Sequence, residues 1–444
     1  MSQLSDESLK YMEQTELSYR KKMGQYFTPK DLKDIALAKV DLFPGAMVLE
    51  NSCGSGEFIQ SILDKQPSVI IDGYDIDSRL VDICQQRFPN CRILQQNFLE
   101  MDHEPQYDFV IGNPPYFEYL KRDMTDNIAS KFKSILKGRP NIYSLFIKAS
   151  IDALKEGGKL VFVVPLSMNN GDHFSKLRDY IVESCNILDI EKFDSKKFVD
   201  AQQAVQIIVF EKLRSGEEND GNFIFQHEGI RIFTTDSEDL KERFKKGKTL
   251  KQMGFKVVTG NFVWNQNKDI LSQEAADNIK LIWACNIVNN SLEWDVKKLQ
   301  EKDKSKSSAA KGQYVKQIKG PHKLTRTVPV SSKSDDKTSG PKYKEVSLPQ
   351  PINGRTIVVN RVTGTAGNAT MRAAIVDMEG YYFVENHVNC IIATDKAEIT
   401  MEQLHKLLIS PSTVSMIRAI TGNTQVSQKE LQNLIPFALD KSNE

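Results

Sequence analysis

Little in this sequence ties it to a membrane, an oxidising compartment or a structural metal. No apolar run approaches the roughly 18 residues that a membrane span requires. The first residues are polar and mixed in charge, with no basic segment leading into an apolar one, so no secretory signal is read. Six cysteines (Cys53, Cys84, Cys91, Cys185, Cys285 and Cys390) are scattered and form no C-x-x-C pair. Such spacing argues against a disulfide framework and against structural zinc, and it suits a reduced cytoplasm. An excess of either charge is also lacking, since 59 basic against 58 acidic residues leave +1. Any nucleic-acid contact must then rest on a local basic face rather than on the total.

What is present is length and a patterned first half. The chain has 444 residues, 40% of them apolar, which suits two or three domains and at least one sizeable core. Residues 4–22 read as a charged amphipathic helix. Short apolar runs follow at 46–50, 68–75, 91–95 and 107–112, separated by helical patterns at 58–63 and 79–87. The series continues with a helix at 141–155, a strand at 159–165, a helix at 172–184 and a strand at 204–210. Alternation of this kind predicts an α/β fold with a doubly wound, parallel sheet. It stops at the polar, glycine-containing stretch 214–222, which places a boundary near 218, with one domain at 1–218 and a second at 219–444. The second half is irregular, and its segment 301–345 carries twelve basic residues against five acidic ones.

The motifs sit at the ends of the predicted strands. Strand 46–50 runs into Glu50-Asn51-Ser52-Cys53-Gly54-Ser55-Gly56 and then a helix. Glycines at such a turn let a ligand approach the backbone and the helix N-terminus. The turn lacks the Gly-Lys-Ser/Thr of a phosphate-binding loop and the third glycine of the dinucleotide fingerprint. The next strand ends in Asp75, where a carboxylate accepts both ribose hydroxyls of an adenosine ligand. The third delivers Gln96-Asn97-Phe98, an amide and an aromatic ring suited to an adenine. Taken together, glycine turn, acid and amide–aromatic pair favour an adenosyl cofactor.

Strand 107–112 then delivers Asn113-Pro114-Pro115-Tyr116. The lone pair of adenine N6 is delocalised into its ring, which makes the nitrogen a poor nucleophile. An amide oxygen from Asn113 and the carbonyl of Pro114 can each accept one N6 hydrogen, drawing the nitrogen toward tetrahedral geometry. Two prolines fix φ and hold these acceptors in place. Tyr116 offers a flat face for the base.

These residues resemble the gamma class of amino-DNA methyltransferases, the TaqI-like adenine-N6 enzymes of restriction–modification systems. The likeness covers about residues 20–212. Gly24-Gln25-Tyr26-Phe27-Thr28-Pro29 is similar to the family's N-terminal cofactor motif, in which Thr28 would contact the methionine part. Residues 49–58 resemble the glycine motif, which implies cofactor contacts from Glu50, Cys53, Gly54 and Gly56. Asp75, Asn97 and Phe98 fall on the ribose and adenine positions, Asn97 departing from the usual Asp. Asn113 to Tyr116 match the catalytic loop, and Phe198 stands where the family has its second base-contacting aromatic. The resemblance implies a Rossmann-like methyltransferase domain with a mostly parallel seven-stranded sheet, followed by an α+β target recognition domain. Residues 355–361 and 422–427 resemble such domains more loosely.

The implied activity is transfer of a methyl group from S-adenosyl-L-methionine to N6 of an adenine flipped out of double-stranded DNA. Tyr116 and Phe198 would sandwich the base, at roughly 1–3 kcal/mol per stacked base. Lys316, Lys319, Lys323 and Arg326 are candidates for phosphate contacts, and Arg355 and Arg361 for base edges. No metal is expected. A cytoplasmic location and a separately encoded cognate endonuclease complete the expectation. The acceptor chemistry alone leaves open an RNA adenine, cytosine N4 or a protein glutamine. It also leaves open a non-catalytic DNA-binding subunit that keeps the methyltransferase fold.

Overall fold

The computed structural model describes residues 4–193, 204–272, 278–294, 314–316, 325–329, 343–347, 349–361, 371–420 and 425–438. The chain divides into two compact units, one running to Glu242 and the other built mainly from the residues after it.

The first unit is a doubly wound sheet. Its strands are β1 (Met47–Glu50), β2 (Ile70–Asp75), β3 (Arg92–Gln95), β4 (Tyr107–Gly112), β5 (Leu154–Pro165), β6 (Cys185–Phe193) and β7 (Val205–Lys212). They lie in the order β3-β2-β1-β4-β5-β7-β6. Pairing is parallel from β3 through β5, and β7 runs antiparallel to both of its neighbours. Side chains of the central strands are buried on both faces, as in the run Leu160–Val164, which is why those segments read as unbroken apolar stretches. The chain leaves β1 toward β2 on one side and returns to β4 on the other. That reversal opens a crevice beyond the carboxyl ends of β1 and β4, the usual ligand site of such sheets.

Helices α1 (Asp6–Gln14), α2 (Leu17–Met23) and α3 (Lys30–Ala38) precede β1. The single helix expected over 4–22 is therefore two. Thr15 is extended (φ −122°, ψ 126°) and breaks it. Tyr11 and Tyr19 both donate to Oδ2 of Asp77, at 2.8 and 3.3 Å. Eight residues apart on one straight helix they would stand about 12 Å apart, so the break lets both reach one carboxylate. Crossover helices α4 (Glu57–Lys65), α5 (Ser78–Arg87), α6 (Asp126–Lys131), α7 (Ile142–Ala153) and α8 (Ser175–Ser184) complete the layers.

Strand β6 is a second difference, since the apolar pattern predicts no strand between 184 and 204. A bulge between Ile187 and Asp189 shifts its register on β7. The inward residues become Cys185, Ile187 and Ile190, and Leu188 is left 38% exposed. A bulge interrupts the period of two by which strands are recognised.

The second unit is α+β. A four-stranded sheet orders Phe255–Thr259, Val388–Ala393, Thr356–Asn360 and Ala373–Val376, and a five-stranded one is centred on Asn278–Ile282. Ile282, Val358, Tyr382, Val384 and Cys390 form part of its core. Helix Gln428–Asn433 packs on the first of these sheets, where Gln432 accepts from the amide of Val257 at 2.9 Å. Among the described residues no helix is long and apolar enough to cross a membrane.

Candidate active site

The carboxyl ends of β1, β2, β3 and β4 open onto one cavity of about 230 Å³. Thr28, Glu50, Cys53, Gly54, Asp75, Asn97, Phe98 and Asn113 all line it. The motifs that the sequence spreads over 86 residues thus meet at one cavity, because those from Glu50 to Asn113 follow neighbouring strands of the same sheet, and the segment before α3 brings Thr28 to them.

Glu50 closes β1. It is 3% exposed, and its Oε2 has no protein hydrogen-bond partner. Burial pushes its pKa well above the usual carboxylate range. An orphaned carboxylate oxygen facing a cavity suits a cationic group such as an ammonium. Asp75, at the end of β2, accepts from the amides of Gly54 (Oδ2, 2.9 Å) and Asp77 (Oδ1, 2.9 Å). Burial raises its pKa to about 6 against the opposing pull of those amides. Beside it Ile76 is 51% exposed, an apolar side chain left uncovered in the cavity wall. Phe98 is buried, its ring stacked at 4.1 Å on His103 and tilted at 5.7 Å against Tyr74. The oxygen of Asn97 accepts from the amide of Leu99 at 3.2 Å and caps a short helical turn.

Gly56 does not line the cavity. It has φ +84°, and a Cβ there would stand 2.4 Å from the ring of Phe88 and 3.0 Å from Sγ of Cys84. Its task is the close packing of the β1–α4 turn on α5.

Asp77, two residues beyond Asp75, does different work. It caps α5 and accepts from Tyr11, Tyr19, Gln25 and Arg79. Burial opposes its ionisation, but hydrogen bonds from Arg79 and Tyr11 outweigh that and lower its pKa to about 2. The Arg79 guanidinium lies over the Tyr11 and Tyr19 rings, at 5.2 and 5.1 Å. A second anchor holds α1. Oε1 of Glu57 accepts from the amide and hydroxyl of Ser5 and the hydroxyl of Ser8, at 2.8, 2.7 and 2.7 Å. Oε2 of Glu57 accepts from Lys33 in a buried ion pair.

The catalytic-loop candidates follow β4. Nδ2 of Asn113 donates to the carbonyl of Tyr26 at 2.9 Å and to Oγ1 of Thr28 at 3.0 Å. The hydroxyl of Tyr116 lies within hydrogen-bond reach of two acceptors, Oδ1 of Asn113 and, at 2.5 Å, the carbonyl of Val163, which share its single proton. Tyr116 is 8% exposed and lies outside the cavity lining. Its ring stacks on Tyr26 at 5.7 Å and meets Tyr143 edge-on at 6.0 Å. Burial pushes its hydroxyl well above the ordinary tyrosine range. Pro114 is also outside the lining, whereas Pro115, Phe117 and Tyr119 are in it.

Phe198, Lys319 and Lys323 lie outside the described residues, and only the backbone of Lys316 and Arg326 is described. Arg355 is engaged with Glu402 and, at 3.4 Å, with Asp377. Arg361 donates to the carbonyl of Asn386 at 3.3 Å. Ile76, Phe117 and Tyr119 also line the cavity, although they belong to none of the motifs. Their signal was local: bulky apolar side chains directly after an acidic strand end or after the prolines, where a solvated loop would carry polar ones.

Residues 59–199 match the family described as Eco57I restriction-modification methylase. The chain is similar to the modification methylase CviBIII of Paramecium bursaria Chlorella virus NC1A, at 32% identity over 43% of this chain and 50% of that protein. It is similar at 23% identity to the Type II methyltransferase M.BsuBI of Bacillus subtilis, over 94% of this chain and 88% of that one. At 30% identity or more, the chain spans half or less of the relative's own length. Among solved structures, the M protein of the type I restriction enzyme EcoKI is similar with a TM-score of 0.35 and 16% identity, over 54% of this chain and 59% of that one. The methylase family implies S-adenosylmethionine as the cofactor, and the cavity fits it, with a buried unpartnered carboxylate at Glu50 and a second carboxylate at Asp75.

Proposed function

We propose that this relative of the restriction–modification methylases transfers a methyl group from S-adenosylmethionine to N6 of an adenine turned out of double-stranded DNA. The observation that carries the reading is the place of Asn113. It stands in the wall of the same cavity as Glu50, Asp75 and Phe98, at the end of the neighbouring strand.

Glu50 would take the ammonium of the methionine part, Asp75 the ribose hydroxyls, and Ile76 and Phe98 the adenine ring. When bound, the cofactor supplies an electrophilic methyl group on its sulfonium. The rest of the chemistry falls to the catalytic loop. Oδ1 of Asn113 and the carbonyl of Pro114 accept the two N6 hydrogens of the target base, which withdraws its lone pair from the ring and frees it to attack. Once methylated, N6 is acidic and releases its proton to water, so no strong base is needed. A base inside a duplex cannot reach a buried donor, which is why flipping belongs to the proposal. Stacking on Tyr116 requires one of the rings that now cover it to move aside, and Phe198 is the second stacking partner proposed. The 301–345 segment, with Lys316, Lys319, Lys323 and Arg326, is proposed for phosphates, and Arg355 and Arg361 for bases.

The test is incubation of the protein with methyl-labelled S-adenosylmethionine and mixed-sequence duplex DNA, followed by nucleoside analysis. The proposal expects the label in N6-methyl-2′-deoxyadenosine and its loss with Asn113→Ala, while cofactor binding persists. Label in N4-methylcytosine, or only in the protein, would overturn it.

A further inference from the structure

We infer that Thr28, besides any contact with the cofactor, is a positioning residue that fixes which end of the Asn113 carboxamide meets the substrate. The inference rests on the proposed adenine chemistry for its consequence, though its geometry stands apart from that reading.

A carboxamide has two nearly isosteric ends, and only its oxygen can accept an N6 hydrogen. The reaction therefore depends on Asn113 not turning over about its last side-chain bond. Two acceptors prevent this. The Tyr26 carbonyl, 2.9 Å from Nδ2, can only accept, so a turned amide would set two oxygens face to face. Oγ1 of Thr28, 3.0 Å from Nδ2, takes the second amide hydrogen. With both hydrogens occupied, Oδ1 points the other way, where the Tyr116 hydroxyl can donate to it. An amide oxygen has two lone pairs, which leaves one for the substrate. Thr28 is 3% exposed, so water does not substitute easily for its hydroxyl.

The segment that carries these acceptors is pressed onto the catalytic loop. Gly24 has φ +65°, and a Cβ there would stand 2.8 Å from the amide nitrogen of Tyr116 and 3.0 Å from Cβ of Pro115. The segment from Gly24 to Thr28 is thus packed closely against the tetrapeptide. Having accepted from Asn113, the Thr28 hydroxyl keeps its own proton to donate into the cavity that it lines. A carboxylate bound there would make the hydroxyl a better acceptor for Asn113, because chained hydrogen bonds polarise one another. Cofactor occupancy and the orientation of the catalytic amide are then linked through one atom.

The experiment compares wild type, Thr28→Val and Thr28→Ser in two readouts. The first is the single-turnover rate of methyl transfer at saturating S-adenosylmethionine and DNA. Valine, which keeps the shape and removes the acceptor, lowers it about tenfold, the scale of one buried hydrogen bond, and serine restores it. The second needs no activity. The side-chain NH2 resonances of Asn113, identified by their loss in Asn113→Ala, exchange slowly with solvent in wild type and in Thr28→Ser. They exchange quickly in Thr28→Val. A Thr28→Val protein with the wild-type rate at saturation and unchanged Asn113 exchange overturns the inference, even where its cofactor affinity has fallen. Should wild type transfer no methyl group to adenine, the functional reading fails, and the exchange measurement still decides the role of Thr28.

Discussion

Two aspartates separated by a single residue in Tyr74-Asp75-Ile76-Asp77 have proton affinities shifted in opposite directions, and the difference is set by their neighbours. Asp77 is held ionised by Arg79 and Tyr11, whereas Asp75 is met only by backbone amides and is raised by burial to about 6. Under the proposed contact, a ribose hydroxyl donating to Asp75 would favour the ionised form, so that the pKa in the complex would lie below that of the free protein. Cofactor affinity is then complete above about pH 6 and declines as pH falls through it, by up to tenfold per unit. Glu50, also raised by burial, adds in the same direction, because an ammonium beside it favours its ionised form. Calorimetry with S-adenosylhomocysteine checks this, and Asp75→Asn should flatten the slope; an affinity independent of pH from about 7.5 to 5 contradicts it. At this scale the meeting of Glu50, Asp75 and Asn113 at one cavity was legible, because each closes or follows a strand of one sheet. The sequence was not legible where a neighbour decides, as with the cover of Tyr116 by Tyr26 or the task of Asp77, since Tyr26 lies 90 positions from Tyr116 and the Asp77 partners Tyr11, Tyr19 and Gln25 lie 66, 58 and 52 positions away.

Elements that frame the cavity are fastened by buried polar contacts, and these can be cut singly. Lys33 on α3 and Glu57 at the start of α4 form an ion pair with only 5% and 8% of their side chains exposed, and Ser5 and Ser8 complete the carboxylate's shell. Burial opposes ionisation of Glu57, but hydrogen bonds from Lys33 and the serines prevail and hold its pKa below the usual value. The stability so gained is present above the ordinary carboxylate range and is lost as pH falls into it. Lys33→Met leaves a buried charge without its partner and should cost about 3–5 kcal/mol in urea unfolding. Adding Glu57→Gln should return part of that loss. A cost of about 1 kcal/mol or less for Lys33→Met would mean that the pair behaves like an exposed one. The central parallel strands β1, β4 and β5 were legible because burial on both faces makes them largely apolar. The break at Thr15 and the bulge in β6 were not, because each answers to a partner distant in sequence rather than to local propensity.

Over the whole molecule, the candidate chemistry is confined to one unit. All the cavity residues precede Phe146 or equal it, and the matched family segment ends at 199. The second unit, with its two larger sheets, holds none of them. Its irregular sequence gave little beyond a local excess of basic residues, because short strands with polar turns lack the periodicity that marks a doubly wound sheet. The division of labour proposed, methyl transfer in the first unit and target reading in the second, requires that modification fall on one sequence and depend on one amide. Long-read sequencing of DNA from cells expressing the chain tests both requirements together. The account predicts N6-methyladenine confined to a single sequence context in wild type and absent from cells expressing Asn113→Ala at equal level. Unmodified adenine in wild type, or an unchanged pattern with Asn113→Ala, would contradict it.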